Sequence, residues 1–238
     1  MGRLLYLSFT RPDLAYSVHV LSQFMQKPQE EHWEATLFVD RYIKSNPSQR
    51  IVLSSSCDLH LRGWCDADWG QCQLSRQSLM GWFVQLGTSP ISWRTKKQDR
   101  VSRSFAEAKY WAMATTTCEL LRIKGILVDL AYFMHNLWHC IVTIRPPFIY
   151  SRTRCFMTKQ SMSKLTVTIS MMRYSMVLSS LSLFPHVQFA DTFTKVLSKQ
   201  EFDNFVHELG IHNLHVPAWG VLRNQVWYKV LGKNSYLC

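Results

Sequence analysis

Two acids, Asp66 and Asp68, stand at the end of a run in which apolar and polar residues alternate. The alternation over residues 59–64 predicts a half-buried strand, and its period of two places both carboxylates on the same face. Carboxylate oxygens at a strand end are ligands that Mg²⁺ prefers, and two such ions can clamp the attacking and leaving oxygens of a phosphodiester. Without further support, such a pair is more often two solvated acids that open a turn.

Two further acids could complete such a site, although each also has a purely structural explanation. Glu107 forms a Ser-x-x-Glu capping box with Ser104 at the start of a long helical pattern, where an acid also suits the helix dipole. Asp191 precedes a short amphipathic stretch and could be its N-cap. Taken one at a time, these acids do not distinguish a metal site from ordinary helix capping.

A cluster of basic residues lies between the third predicted strand and the long helix. Its members are Arg94, Lys96, Lys97, Arg100 and Arg103. Interleaved with Trp93, the cluster could hold the phosphates of a nucleic-acid duplex, or it could be a solvated loop.

The elements that must position these residues follow from the apolar periodicity. Three strands are predicted, near residues 58–66, 79–87 and 90–95. A helix follows, from 104 to about 131. A second capping box, from Ser198 to Glu201, predicts a helix that ends at Gly210. Residues 1–50 are predicted to be helical.

The order of these motifs along the chain, together with the sequence around them, resembles the C-terminal part of a copia-type LTR-retrotransposon Pol polyprotein. The stretches that carry the resemblance are 4–16, 22–25, 32–35, 41–44, 65–69, 92–98, 106–110, 115–121, 186–195 and 209–211. The resemblance covers about residues 1–135 and 185–222. It implies the tail of a reverse transcriptase followed by an RNase H domain.

An RNase H of this kind implies a fold, a site and partners. The fold is an α/β arrangement in which helices pack on a mixed sheet, and we expect it to be incomplete in its second half. Four carboxylates hold Mg²⁺ or Mn²⁺, and Asp66, Glu107 and Asp191 match three of them as metal ligands and catalytic residues. Asp68 is a second candidate for the strand position. The implied partners are an RNA–DNA hybrid and a polymerase domain in the same polyprotein.

The fourth carboxylate of the family belongs to a Cys-Asp-Asn-Gln motif, which this chain lacks. From residue 137 to residue 184 the sequence contains no Asp or Glu. Reading the codons of residues 139–145 two nucleotides later permits Leu-His-Cys-Asp-Asn-Gln. We therefore hypothesise a frameshift near 132–138 that is reversed near 182–185, and we expect little or no RNase H activity because one ligand and part of the core are lost.

These observations predict five regions. They are 1–50, a reverse-transcriptase C-terminal or connection remnant; 51–136, the first half of an RNase H-like domain; 137–184, a poorly ordered, out-of-frame basic segment; 185–222, the end of the RNase H-like domain; and 223–238, an unassigned tail.

Composition limits the other possibilities. The chain has 238 residues, 47% of them hydrophobic, and a net charge of +11, of which the segment 137–184 carries +6. No apolar run is long enough to span a membrane, and the N-terminus does not match a signal peptide, so an intracellular location, cytoplasmic or nuclear, is expected. The seven cysteines form no Cys-x-x-Cys pair, so the sequence indicates neither a zinc site nor a disulfide framework.

Three functions are compatible with this sequence. The chain could be a degraded RNase H remnant of a transposon gene, which the missing carboxylate favours. It could be a working nuclease in which another acid, with Asp129 the nearest upstream candidate, replaces the lost ligand. It could also be a non-catalytic basic protein that binds nucleic acid.

Overall fold

The computed structural model describes residues 1–54, 60–130, 138–142, 182–183, 189–209 and 211–213. The helices are α1 (Gly2–Leu7), α2 (Ala15–Ser22), α3 (Glu30–Ser45), α4 (Phe105–Asp129) and α5 (Lys199–Glu208), with short 3₁₀ helices at Pro12–Leu14 and Phe189–Phe193. The strands are β1 (Gln49–Ile51), β2 (Leu61–Asp68), β3 (Leu79–Leu86), β4 (Ser89–Lys97), β5 (Trp138–Val142), β6 (Ser182–Leu183) and β7 (Ile211–Asn213).

A five-stranded mixed sheet forms the centre of the fold, in the order β4-β3-β2-β5-β6. Strands β2, β3 and β4 are antiparallel neighbours, while β5 runs parallel to β2 and β6 runs parallel to β5. Because helices cover this mixed sheet, the predicted RNase H-like α/β class is confirmed.

The two faces of β2 bury different cores because its side chains alternate. Leu61, Cys65 and Ala67 pack with Ala112 and Leu120 of α4 on one face. The second face is aromatic and carries the C-terminal part of the chain. Its buried members are Ala15, Trp64, Phe83, Ala190, Phe193, Phe205, Leu209 and Ile211.

The segment 137–184, predicted to be out of frame, contributes two short strands to the sheet. The backbone of β5 pairs with β2 so that Cys65 stands opposite Val142. The parallel pair β5–β6 then extends the sheet by one more strand. The remaining residues of that segment lie outside the described residues, as does the tail 223–238, so the predicted region boundaries stay a prediction.

The helices of the N-terminal region pack on one another around a small apolar core. Its buried members are Leu14, Val18, Leu21, Ala35, Val39 and Tyr42. Strand β1 pairs with β7, with Ile51 opposite Ile211, which joins this region to the C-terminal elements. Among the described residues, none of the helices has the length and apolar character needed to cross a bilayer.

Candidate functional site

Asp66 lies near the end of β2 and is fully buried. One of its carboxylate oxygens accepts a hydrogen bond from the ammonium of Lys109, on the first turns of α4, in a buried ion pair. The other oxygen accepts a hydrogen bond from the hydroxyl of Thr194. Both oxygens are thus already engaged by this chain's own side chains.

The C-terminal segment reaches Asp66 because β3 leaves room for it. Gly81 stands opposite Asp66 in the β2–β3 register, and a Cβ at Gly81 would overlap the side chain of Phe193. The hydroxyl of Thr95 on β4 donates to the carbonyl of Phe193 at 2.9 Å. These contacts fix the 3₁₀ helix Phe189–Phe193, which carries Asp191, against the sheet beside Asp66.

Lys195 connects the two acids that this packing brings together. Its Nζ lies 3.7 Å from Oδ2 of Asp66 and 3.3 Å from Oδ1 of Asp191. The backbone supports this placement, since the amides of Thr194 and Lys195 both donate to the carbonyl of Asp191, at 3.1 and 2.9 Å. The structure therefore places Asp66 and Asp191 in one cluster with the ammonium groups of Lys109 and Lys195.

The pKa values of Asp66, Asp191 and Lys195 are shifted because these charged groups lie close together in a buried site. Burial would raise the pKa of Asp66, but Lys109 and Lys195 lower it below its usual value, so this carboxylate stays ionised. Burial and the nearby charge of Asp66 raise the pKa of Asp191 to about 6. Burial would lower the pKa of Lys195, yet the three carboxylates of Asp66, Asp191 and Asp68 raise it.

Asp68 occupies the edge of the same site. It is half-buried at the last position of β2. Burial raises the pKa of its carboxyl, Asp66 adds to that rise, and the charges of Lys195 and Lys109 oppose it. Asp68 therefore shares the electrostatic environment of Asp66 without having the direct contacts that Asp66 makes.

Glu107, which the sequence suggested either as a helix cap or as a metal ligand, makes the contacts of a helix cap. Its carboxylate accepts a hydrogen bond from the backbone amide of Arg103 at 2.7 Å, and its own amide donates to the hydroxyl of Ser104 at 3.1 Å. Glu107 thus caps the start of α4, and the α4 side chain that reaches Asp66 is Lys109, two residues later. The capping interpretation of Glu107 describes its contacts in this structure.

The residues at this site do not fit the divalent ion that the family resemblance implies. The ammonium of Lys109 forms a buried ion pair with Asp66, and that of Lys195 lies 3.7 Å from Asp66 and 3.3 Å from Asp191. These two positive charges already stand beside the carboxylates and would repel a divalent cation. In the part of the chain that the structure describes, no three acidic, histidine or cysteine side chains are placed to hold a metal ion together.

Asp129, the proposed replacement ligand, is too far away to help. It is exposed at the last position of α4, 20 residues beyond Lys109 on one continuous helix. At about 1.5 Å per residue, this separation is roughly 30 Å.

The basic cluster divides into three residues whose side chains contact neighbouring side chains and two that are exposed in the loop before α4. Lys96 pairs with Asp99 at 3.2 Å, Lys97 donates to Gln23 at 2.9 Å, and the guanidinium of Arg94 lies 5.8 Å from the centre of the Trp82 ring. Arg100 and Arg103 are exposed.

Trp93, the aromatic residue noted within the basic cluster, is half-buried, and its indole donates to the carbonyl of Ser8 at 2.8 Å. The exposed aromatic side chains beside Arg100 and Arg103 are instead those of Trp69 and Phe105, which are 50% and 38% exposed.

Sequence reasoning missed Lys109, Thr194 and Lys195 as members of the site. One signal could have found Lys109, because it lies one turn before Ala112 and Met113 in the buried stripe of α4. A lysine is almost never fully buried unless it is paired. The position of Lys109 in that stripe therefore predicts that its ammonium pairs with a carboxylate.

Comparisons with known proteins identify relatives over almost the whole chain. It is 36% identical over 231 residues to the retrovirus-related Pol polyprotein from transposon RE2 of Arabidopsis thaliana, which covers 94% of this chain and 15% of that protein. It is 36% identical to the corresponding polyprotein from transposon RE1 of the same plant, over 89% of this chain and 14% of the relative. The polyprotein from transposon TNT 1-94 of Nicotiana tabacum is 28% identical, over 90% of this chain and 16% of the relative.

No family model matches the chain. The search of solved structures also found no significant match. The chain spans about 15% of the length of the curated polyproteins it matches. Similarity at 36% identity over about nine tenths of its residues places it with the retrovirus-related Pol polyproteins of copia-type transposons, and the chain belongs to that family.

Proposed function

We propose that this chain is the RNase H-like part of a copia-type Pol polyprotein and that it does not cleave the RNA of RNA–DNA hybrids. The single observation that carries the proposal is the environment of Asp66. Metal-assisted phosphodiester hydrolysis needs carboxylates that share a divalent ion, whereas Lys109 and Thr194 engage both oxygens of this one. The missing Cys-Asp-Asn-Gln motif supports the same conclusion.

The proposal is tested by incubating the full chain with a labelled RNA–DNA hybrid in Mg²⁺ or Mn²⁺, beside an active RNase H as positive control. We expect no cleavage above the level of the Asp66→Asn variant. Metal-dependent cleavage by the wild type that is lost in Asp66→Asn would refute the proposal. Using that variant as the baseline separates true activity from a contaminating nuclease.

A second candidate function, nucleic-acid binding without cleavage, is favoured by the loop before α4. The indole of Trp69 donates to the carbonyl of Ser102 at 2.8 Å and so rests on this loop. Exposed Arg100 and Arg103 lie on either side of that contact in sequence. Guanidinium groups bind phosphates, and exposed rings can stack on bases.

Fluorescence anisotropy with a labelled hybrid, measured across a range of salt concentrations, tests this second candidate. We expect the double variant Arg100→Gln/Arg103→Gln to bind more weakly and to lose about 1 to 2 units of the slope of log K against log salt. The variant Lys27→Gln/Lys44→Gln removes the same charge from two exposed positions in the N-terminal region. Equal losses in both variants would show that the affinity comes from net charge alone.

A further inference from the structure

Lys109 is the feature that distinguishes this carboxylate site from a metal centre. It is a buried ammonium, with a side chain 5% exposed, against a carboxylate that is fully buried. It comes from α4, the first long helix after the strands, and it contacts Asp66 although Glu107 lies only two residues earlier. Residues two apart on a helix point about 200° apart, so Glu107 and Lys109 cannot both face the site.

The charges around Asp66 explain why a cation is held there. Asp66 interacts with Asp68 and with Asp191, and all three carboxylates interact with the ammonium of Lys195. The ammonium of Lys109 interacts with Asp66 and Asp68. Carboxylates that lie close together in a buried site raise one another's pKa values and favour any cation that can enter. Without Lys109, the ammonium group that remains beside these carboxylates among the described residues is that of Lys195, whose side chain is 39% exposed.

We propose that the ammonium of Lys109 is a built-in counter-cation that takes the place of a divalent metal ion at Asp66, and that removing it opens a site for such an ion. The inference rests on the proposed function, in which this site no longer supports metal-dependent cleavage. Lys109 fills the position from the side of α4, engages one oxygen of Asp66, and supplies a positive charge that repels an incoming ion. Its neutral or acidic replacement leaves buried carboxylates that a hard divalent cation can coordinate.

Lys195 provides a matched control for this inference. It has the same charge as Lys109 and contacts Asp66 and Asp191 at 3.7 and 3.3 Å, but it approaches from the chain segment after the 3₁₀ helix. If any loss of positive charge were enough to admit a metal ion, substitution of either lysine would have the same effect. If the ammonium of Lys109 occupies the metal's place, the Lys109 variants gain more.

The experiment measures Mn²⁺ binding to the full chain by electron paramagnetic resonance of the free ion. The proteins are the wild type, Lys109→Met, Lys109→Glu, Lys109→Arg, Lys195→Met and the double variant Lys109→Met/Asp66→Asn. We expect Lys109→Glu to bind Mn²⁺ at least about tenfold more tightly than the wild type, with Lys109→Met intermediate. Lys109→Arg should match the wild type, Lys195→Met should gain less than Lys109→Met, and the double variant should lose the gain.

Two results would overturn the inference. The first is that Lys109→Glu and Lys109→Met, folded by circular dichroism, bind Mn²⁺ no more tightly than the wild type. The second is that Lys195→Met gains as much as Lys109→Met. A cleaving wild type would instead refute the proposed function, so the two failures are distinguishable.

Loss of a buried partner can also unfold the chain, and the melting temperature then replaces the binding assay. In Lys109→Met, Asp66 would lose its buried partner and keep the partly exposed ammonium of Lys195, 3.7 Å away, as its counter-charge. We expect Mn²⁺ to raise the melting temperature of Lys109→Met well above the value in NaCl of equal ionic strength, and to leave that of the wild type unchanged. An equal response of the two proteins to Mn²⁺ would overturn the inference.

Discussion

Two buried ionic clusters in this molecule differ in the balance of their positive and negative charges. In the Arg11 cluster, which comprises Arg11, Asp13, Tyr42 and Gln49, the guanidinium binds Asp13 through two nitrogens, at 2.9 and 2.7 Å. The hydroxyl of Tyr42 donates to Asp13 at 2.9 Å, and Gln49 accepts from Arg11 at 2.9 Å. One cation therefore meets one anion, and neutral groups take the remaining hydrogen bonds.

The Asp66 cluster, which comprises Asp66, Asp68, Lys109, Asp191 and Lys195, has no such balance. Its carboxylates outnumber its ammonium groups, and the pKa of Asp191 rises to about 6 because it is buried beside another acid. A balanced, bidentate pair is typical of a structural contact. Buried negative charge in excess adds nothing to folding and is typical of a functional site. The comparison thus distinguishes a pair that holds helices together from a site built for a cation.

The largest expected effect comes from breaking the balanced pair. Asp13→Asn leaves Arg11, which is 5% exposed, without a counter-charge, so we expect the free energy of unfolding to fall by about 3–5 kcal/mol. Denaturant titration measures it. The control is Asp40→Asn, which breaks an exposed pair with Lys44 and should cost under about 1 kcal/mol. Equal effects in the two variants would show that the Arg11 cluster is not the structural pair described.

Removing a negative charge from the Asp66 cluster should raise the free energy of unfolding rather than lower it, and the gain should depend on pH. The pKa of Asp191 rises from 3.8 to about 6 on folding, so its contribution to stability is present below pH 4 and is lost as the pH rises through 6. We expect Asp191→Asn to be more stable than the wild type above pH 7, by at most about 3 kcal/mol, and equal to it near pH 4. Melting temperatures across this range measure the difference. A variant that is destabilised at pH 8 would contradict the described charge surplus.

The packing that brings Asp191 close to Asp66 depends on the absence of a side chain at Gly81. In Gly81→Ala the new Cβ would overlap Phe193, so we expect a loss of about 1–3 kcal/mol in the free energy of unfolding. Gly125→Ala, at an exposed helical position with open space around it, should instead stabilise the chain by roughly 0.5–1 kcal/mol. If both substitutions had the same sign, the close contact between β3 and the 3₁₀ helix would be in doubt.

The smallest expected effect on stability is that of replacing Glu107, and it distinguishes a helix cap from a metal ligand. Its carboxylate caps the loop before α4, so Glu107→Ala should cost about 0.5–2 kcal/mol and leave Mn²⁺ binding unchanged in a Lys109→Glu background. Glu107→Gln keeps an acceptor and should cost less. Denaturant titration measures the stability, and electron paramagnetic resonance measures the binding. A large loss of Mn²⁺ affinity in Glu107→Gln would show that this residue is a ligand after all.

Sequence patterns predicted the elements well because these depend on local periodicity. The predicted strands near 79–87 and 90–95 correspond to Leu79–Leu86 and Ser89–Lys97. The two capping residues that were predicted, Ser104 and Ser198, each accept a hydrogen bond at the start of a helix. Such signals are contained in a few neighbouring residues, so a single sequence is enough to find them.

The site was harder to predict because its contacts join distant parts of the chain. The proximity of Asp66 and Asp191 follows from family resemblance, whereas the ion pair of Lys109 with Asp66 depends on which face of α4 packs on the sheet. That rotation is set by the burial of Ala108, Ala112 and Leu120 against β2. The capping interaction of Glu107 was visible in sequence, but its consequence for the site was not.

Whether an ammonium stands in the metal's place at Asp66 can be seen in a crystal structure of the wild-type chain, grown in Mn²⁺ and measured at a wavelength where manganese scatters anomalously. We predict that the Lys109 ammonium lies against Asp66 and that no anomalous peak lies within coordination distance of that carboxylate. A manganese peak shared by Asp66 and Asp191, with the side chain of Lys109 turned away, would contradict it.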